Sequence, residues 1–213
     1  MMIRRWQTLT LSVALMALAP GVIAHPHAWI DLRSRVLLDD DSKIHALELV
    51  WFFDDYYTVL VAEELGSDGA PTEDYLDEIA KRNLSNLRDY DYFTTVTYDG
   101  ERQTIADVER YETEVHDGRL WMRFEVPLEK PIDPRSGVVT FSVYDPTYWI
   151  EILHLEAEPI LFSGKGGEAC LGEIIQPNPT IEQVTLAGSL DQNETAGDGL
   201  GELFAEKVTV SCS

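Results

Sequence analysis

Basic residues are scarce in this sequence, and their scarcity excludes several classes of function. Lysine and arginine together number 16 against 38 aspartates and glutamates, which gives a formal net charge of −22. Such a surface repels nucleic acid and anionic membranes, so we expect neither as a partner. It attracts cations and basic partners, although solubility alone is a sufficient reason for an acidic surface.

Catalytic signatures are also missing. The sequence contains no Gly-x-Ser-x-Gly, His-Glu-x-x-His or phosphate-loop pattern, so we do not expect an enzyme. An EF-hand calcium loop is also excluded between Glu64 and Tyr75, because Tyr75 stands where that loop requires a bidentate glutamate.

Long apolar runs are absent beyond the N-terminus. Met1 to Ala24 has the pattern of a signal peptide: Arg4 and Arg5 come first, an apolar run covers 9–18, and Ala24 supplies the small residue for cleavage. The run is shorter than the roughly 20 residues of a membrane span, which makes an uncleaved anchor the weaker alternative. We therefore expect an exported, soluble product that begins at His25, carries a net charge of about −24 and does not insert into the membrane.

Cysteine is limited to Cys170 and Cys212. In an oxidising compartment such a pair favours a disulfide, which would close a loop of about 43 residues and contribute roughly 3–4 kcal/mol. Two thiolate metal ligands are the alternative, and it is weaker because neither cysteine has a Cys-x-x-Cys or Cys-x-x-His neighbour.

The hydrophobic pattern predicts a mainly β protein. Alternating residues in 28–38 and 44–53, separated by an Asp-rich turn, predict an antiparallel hairpin, and further short strands recur up to 207–212. Apolar residues at helical spacing after Thr72 predict a helix over Glu73–Arg88. We expect one domain over 25–213, a β-sandwich of antiparallel sheets with a helical insertion at about 55–89 and a mobile loop at about 188–201.

Two of the five histidines, His25 and His27, fall at the predicted new N-terminus. If this segment is extended, both imidazoles point to the same side, because strand side chains repeat every second residue. Neutral imidazole binds zinc, copper, nickel and cobalt, so we predict His25 and His27 as metal ligands. The alternative is a polar, frayed chain end.

Two aspartates are candidate additional ligands. Asp54 follows the second strand, and the hairpin returns it toward the histidines; it is equally well placed to cap a helix. Asp145 precedes Pro146 and suits an Asx turn, and it would be a ligand only if the fold brings it to the histidines.

A set of motifs in fixed order resembles the DUF1007 family over nearly the whole chain. These motifs are His25–Asp31, Trp51-x-Phe53-Asp54, Tyr90–Phe93, Val143–Tyr148, Leu203–Glu206 and Val208–Cys212. The resemblance implies a periplasmic component of an uncharacterised ABC-type transport system, in a family associated with nickel, cobalt or zinc transporters. The acidic loop that many relatives carry before the helix is replaced here by Gly66-Ser67-Asp68-Gly69, which is a further reason not to expect calcium.

Three functional hypotheses follow. The first is a periplasmic metal-binding protein, with zinc favoured and nickel, cobalt or copper possible, that delivers its ion to a membrane metal transporter. The second is a metal-free interaction module that docks a basic partner on its acidic face. The third is a copper redox enzyme whose ligands include the α-amino group of His25, an arrangement called a histidine brace.

Overall fold

A computed structural model describes residues 25–64, 71–190, 197 and 199–213. The predicted signal peptide, the Gly66–Gly69 segment and half of the predicted loop at 188–201 lie outside this range. No helix among the described residues is long and apolar enough to cross a membrane.

Two β-sheets form the body of the protein, and their strands are listed here in chain order: β1 Ala28–Leu38, β2 Ile44–Phe53, β3 Thr94–Tyr98, β4 Glu101–Arg102, β5 Tyr111–His116, β6 Arg119–Ile132, β7 Val139–Val143, β8 Ile150–His154, β9 Ile160–Ser163, β10 Cys170–Ile175 and β11 Lys207–Cys212. The first sheet has the order β5-β6-β2-β1-β8, with β9 also paired to β1, and the second has the order β10-β11-β7-β3-β4. The predicted mainly β fold is confirmed.

The β1–β2 hairpin is antiparallel as predicted, with Ile30 opposite Phe53 and Leu38 opposite Ile44. On its other edge β1 pairs in parallel with β8 and β9, which the sequence analysis did not foresee. As a result β1 lies in the interior of its sheet, and the residues just before it lie against the start of β8.

Strand alternation explains the core. Along β1 every second residue from Ile30 to Leu38 is buried, because strand side chains point alternately to opposite faces. Inward-facing residues of both sheets form one hydrophobic cluster that includes Leu32 and Phe124 of the first sheet and Val96, Phe141 and Val208 of the second.

The helical insertion predicted at 55–89 contains two helices, α1 Asp55–Glu64 and α2 Glu73–Leu87. Thr72 caps α2, as predicted, by accepting a hydrogen bond from the Tyr75 amide. The same helix buries Leu76, Ile79, Ala80 and Leu84 in the main cluster.

A third helix, α3 Ile181–Ser189, was missed. It follows a proline-rich segment at 177–179, and Thr180 and Gln183 form the reciprocal capping box that starts it. The predicted disulfide is confirmed: Cys170 and Cys212 are directly opposed on β10 and β11 and are joined by an S–S bond of 2.01 Å.

Candidate functional site

The imidazoles of His25 and His27 lie together at the start of β1. Their ring centroids are 4.6 Å apart, and both rings contact the indole of Trp149, at 5.4 Å from His25 and 4.2 Å from His27. The His27 amide donates to the Trp149 carbonyl at 2.9 Å. The predicted proximity is therefore present, but its cause differs, because β1 begins at Ala28 and packing against Trp149 brings the rings together.

Hydrogen bonding fixes which ring nitrogen of His25 carries the proton. Its Nδ1 lies 3.2 Å from the carbonyl oxygen of Tyr148, and a carbonyl only accepts, so Nδ1 is the donor. The lone pair of the neutral ring is then on Nε2. His25 is buried, with 2% of its surface exposed.

His27 has a different environment. Its Nε2 is buried and has no hydrogen-bond partner within the part of the chain that the structure describes. Burial, and after it the neighbouring His25, lowers the pKa of His27 below its ordinary value of 6.5. The lowered pKa favours the neutral state of His27, which is the state that binds a metal ion.

Asp54 returns to the start of β1, as the hairpin predicted, but its carboxylate is engaged by the backbone. One oxygen accepts from the Trp29 amide at 3.0 Å, and the other accepts from the Tyr57 amide at 2.8 Å and so caps α1. Of the two roles considered for Asp54, the structure displays the helix cap.

Asp145 is buried at the turn before β8. One carboxylate oxygen accepts from the amide and hydroxyl of Thr147, at 2.9 and 2.8 Å, and the other accepts from the Ile150 amide at 3.0 Å. This is the Asx turn considered above, and it shapes the loop that carries Tyr148 and Trp149.

No group of three or more His, Cys, Asp or Glu side chains is placed to hold a metal ion in residues 25–64, 71–190, 197 and 199–213. The carboxylates of Asp54 and Asp145 accept hydrogen bonds from backbone amides. The imidazoles of His25 and His27, with ring centroids 4.6 Å apart, are what this region offers to an ion.

Residues from the C-terminal part of the chain pack against the loop that carries Tyr148 and Trp149. Tyr148 stacks on Phe204 with ring centroids 4.1 Å apart and donates from its hydroxyl to Glu151 at 2.9 Å. Burial, reinforced by the Glu151 carboxylate, raises the pKa of Tyr148. Gly201 passes so close to the Asp145 carbonyl that a Cβ would lie 1.8 Å from that oxygen, so only glycine fits there.

An apolar cleft of about 230 Å³ lies beside the histidines. Its lining includes three tryptophans, Trp29, Trp51 and Trp149, of which Trp149 also contacts both imidazoles. Trp29 and Trp149 remain 50% and 37% exposed. The histidine pair is therefore at the edge of an aromatic surface.

A second histidine cluster lies in the core, and sequence reasoning missed its partners. His154 Nδ1 lies 2.8 Å from Glu206 Oε2, and its Nε2 lies 2.9 Å from Ser34 Oγ. Glu206 also accepts from the His154 amide and from Gln176, at 2.7 and 2.6 Å. The signal was available in β1, where Ser34 occupies an inward position in the alternating row Ile30, Leu32, Ser34, Val36, Leu38.

This core cluster has the order of a serine–histidine–carboxylate relay, but it is sealed. Ser34 is 0% exposed, and the side chains of His154 and Glu206 are 2% and 7% exposed. A nucleophile needs access to its substrate. We therefore assign the cluster to the polar core.

Comparison with known proteins connects these features to a family. Residues 10–212 match the family model described as "Protein of unknown function (DUF1007)". An uncharacterized protein of Haemophilus influenzae is 27% identical over 198 residues, which cover 90% of this chain and 93% of that protein. An uncharacterized 15.5 kDa protein from the trpE 3' region of Spirochaeta aurantia is 23% identical over 115 residues, or 52% of this chain and 81% of that protein. No solved structure matches.

Proposed function

The chain belongs to the DUF1007 family, and we propose that, after cleavage behind Ala24, it is a periplasmic protein that binds one divalent transition-metal ion between His25 and His27 and delivers it to a membrane metal transporter. The observation that carries the proposal is the buried Nε2 of His27, which has no hydrogen-bond partner in the described structure. A buried imidazole nitrogen without a partner is costly to the fold, and a bound ion would offset that cost.

The orientation of His25 supports the same role. A metal-bound histidine commonly donates its second ring nitrogen to a carbonyl or carboxylate, which fixes the ring and its tautomer. The Nδ1 of His25 and the carbonyl of Tyr148 form such a pair at 3.2 Å. The Nε2 atoms of both rings are then the metal-binding atoms.

An incomplete ligand set suits delivery. Zinc in structural sites is held by four protein ligands, whereas here only two imidazoles are grouped in the described residues and the nearby Asp54 and Asp145 are engaged by backbone amides. The open coordination positions can be taken by groups of a receiving protein. Zinc is the favoured ion, and nickel, cobalt and copper are alternatives, since affinity order alone does not select the native metal.

The copper histidine brace is less well supported. A brace chelates the ion through the α-amino group and the Nδ1 of the same residue, since Nε2 lies on the far side of the ring. That Nδ1 faces the Tyr148 carbonyl here. We therefore propose a carrier and not a redox enzyme.

The test is metal titration of protein that begins at His25, with Zn²⁺, Ni²⁺, Co²⁺ and Cu²⁺ in turn. We expect one ion per chain and a loss of affinity of at least about tenfold in His27→Ala and in His25→Ala. His45→Ala is the matched control, because His45 lies at the opposite end of the β1–β2 hairpin and should leave the affinity unchanged. Unchanged affinity in His27→Ala would overturn the proposal.

A form with one extra residue before His25 separates the two metal hypotheses. Binding through the two Nε2 atoms keeps its affinity in this form, whereas a brace loses its α-amino ligand. N-terminal sequencing of the exported protein tests the cleavage site directly. A first residue other than His25 would show that cleavage does not occur behind Ala24.

The aromatic cleft favours one alternative function, a metal-free interaction module. Exposed tryptophans are enriched at protein interfaces, and Trp29 is half exposed at the edge of this cleft. Capture of the transporter by the protein in the presence of a chelator, undiminished by His27→Ala, would favour this alternative.

A further inference from the structure

The outer face of the first sheet carries arginines on β1 and β6, the two strands that flank β2. Across one row, Arg33 of β1 is opposite Val50 of β2, and Val50 is opposite Arg123 of β6. In the next row Arg35 lies beside Glu48. These residues line a groove of about 300 Å³ on the side of the sheet that faces away from the core.

Arg33 has no carboxylate partner among the residues that the structure describes. Its Nε is buried without a hydrogen-bond partner, and no ion pair joins its guanidinium to the described residues. Its guanidinium does lie near an aromatic ring: the Phe52 ring centroid is 6.0 Å from Cζ. In a chain with 38 acidic residues and 16 basic ones, an arginine without an acidic neighbour is unexpected.

The neighbouring charges do not supply that partner. Arg35 pairs with Glu48 at 2.6 Å, Arg123 pairs with Glu112, and Glu114 accepts from the Trp121 indole at 3.0 Å. The acidic side chains nearest to the groove are therefore committed to other donors. The donors of Arg33 are left for a ligand.

The floor of the groove is apolar. Val50, Phe52, Trp121 and Leu161 all line it together with the arginines. Guanidinium beside aromatic rings recognises a planar carboxylate well, because it can donate two parallel hydrogen bonds while the body of the ligand contacts the rings.

We propose that this groove is a binding site for an organic carboxylate anion, with the carboxylate on Arg33 and the apolar part of the ligand on Phe52 and Trp121. The site lies on the outer sheet face, and neither His25 nor His27 lines it. Binding in this groove needs no metal ion, so its test is independent of the test of the metal-carrier proposal.

The experiment is a titration of the whole processed protein with benzoate, in the presence of a chelator, followed by amide chemical shifts in NMR spectra. We expect saturable shifts at Arg33, Val50 and Arg123, and an affinity reduced about tenfold in Arg33→Gln, since a charge-assisted hydrogen bond is lost. Arg102→Gln is the matched control: it makes the same change in net charge, and Arg102 lies on β4 of the other sheet, paired with Asp91.

Two outcomes would overturn the proposal. One is equal benzoate affinity in Arg33→Gln and Arg102→Gln, which would reduce the effect to net charge. The other combines two results: inorganic phosphate binds as tightly as benzoate, and Trp121→Ala does not weaken the affinity for benzoate. The aromatic floor of the groove would then contribute nothing to binding. The assignment is supported if phosphate binds more weakly than benzoate and if Trp121→Ala lowers the affinity for benzoate.

Discussion

Two buried histidine clusters differ in how completely their nitrogens are satisfied. In the core, His154 has a partner for each ring nitrogen, Glu206 at 2.8 Å and Ser34 at 2.9 Å. Just before β1, His27 has a buried Nε2 that no group in the described structure contacts by a hydrogen bond. The same side chain is therefore structural in one cluster and available for chemistry in the other.

The difference shows how a function can be sought in a strand-rich fold. Fully paired polar groups in a core stabilise one arrangement of the chain, and they leave no atom free for a ligand. A buried nitrogen without a partner lowers stability, so its presence calls for a compensating ligand. Completeness of hydrogen bonding thus separates the two clusters better than burial does.

The largest effect is expected from breaking the core cluster with Glu206→Ala. This change leaves the His154 ring, the His154 amide and Gln176 without an acceptor, so the free energy of unfolding should fall by about 3–4 kcal/mol. Urea denaturation measures it. Glu129→Ala, on an exposed part of β6, is the control, and a loss below about 1 kcal/mol in Glu206→Ala would contradict the structural role assigned to the cluster.

An intermediate effect is expected from acid. Burial raises the pKa of Glu206, but the hydrogen bonds from His154 and Gln176 outweigh it and hold this pKa below the ordinary value of 4.5. A carboxylate with a lowered folded-state pKa stabilises the fold above its unfolded-state pKa, and that stabilisation is lost as the pH falls through the folded-state value. Between about pH 5 and pH 3 the wild type should therefore lose stability more steeply than Glu206→Gln, and parallel curves would count against this linkage.

The smallest effect on stability is expected from replacing His27, just before β1. His27→Phe keeps an aromatic ring against Trp149 and removes the unpartnered nitrogen, so the free energy of unfolding should be unchanged or higher by up to about 1 kcal/mol. Because the pKa of His27 is lowered in the folded state, the unfolded state takes up a proton first and the wild type loses stability below about pH 6.5. His27→Phe should lack this component, and destabilisation beyond about 1 kcal/mol would show that His27 is a structural residue like His154.

Periodicity was sufficient to predict most of the fold. The β1–β2 hairpin, the Thr72-capped helix and the Cys170–Cys212 disulfide all follow from local signals: alternation, a capping residue and a cysteine pair. The parallel pairing of β1 with β8 and β9 could not be predicted, because the hydrophobic pattern of a strand does not specify which distant strand it pairs with. The helix after Thr180 was not predicted, because it follows a proline-rich segment of the kind that marks a loop; its capping box is the signal that could have identified it.

The role of His25 and His27 as metal ligands stays a prediction, whereas the structure shows where the candidate residues lie. Position in the chain was enough to select His25 and His27, and the structure places their rings 4.6 Å apart. Sequence could not decide between the two roles of Asp54 and Asp145, since a carboxylate that caps a turn and one that binds a metal have the same residue type. In the structure both carboxylates accept hydrogen bonds from backbone amides.

The interior position of β1 has a consequence for when the protein becomes functional. Strand β1 pairs in parallel with β8 and β9, and β9 ends at Ser163. Farther along the chain, Phe204 stacks on Tyr148 and Glu206 contacts His154. A chain that crosses a membrane from its first residue onward would expose the histidines long before these partners arrive. If the chain is exported as proposed, the histidine pair would thus be assembled late, after nearly the whole polypeptide has emerged, since distant contacts must close before the sheet is complete.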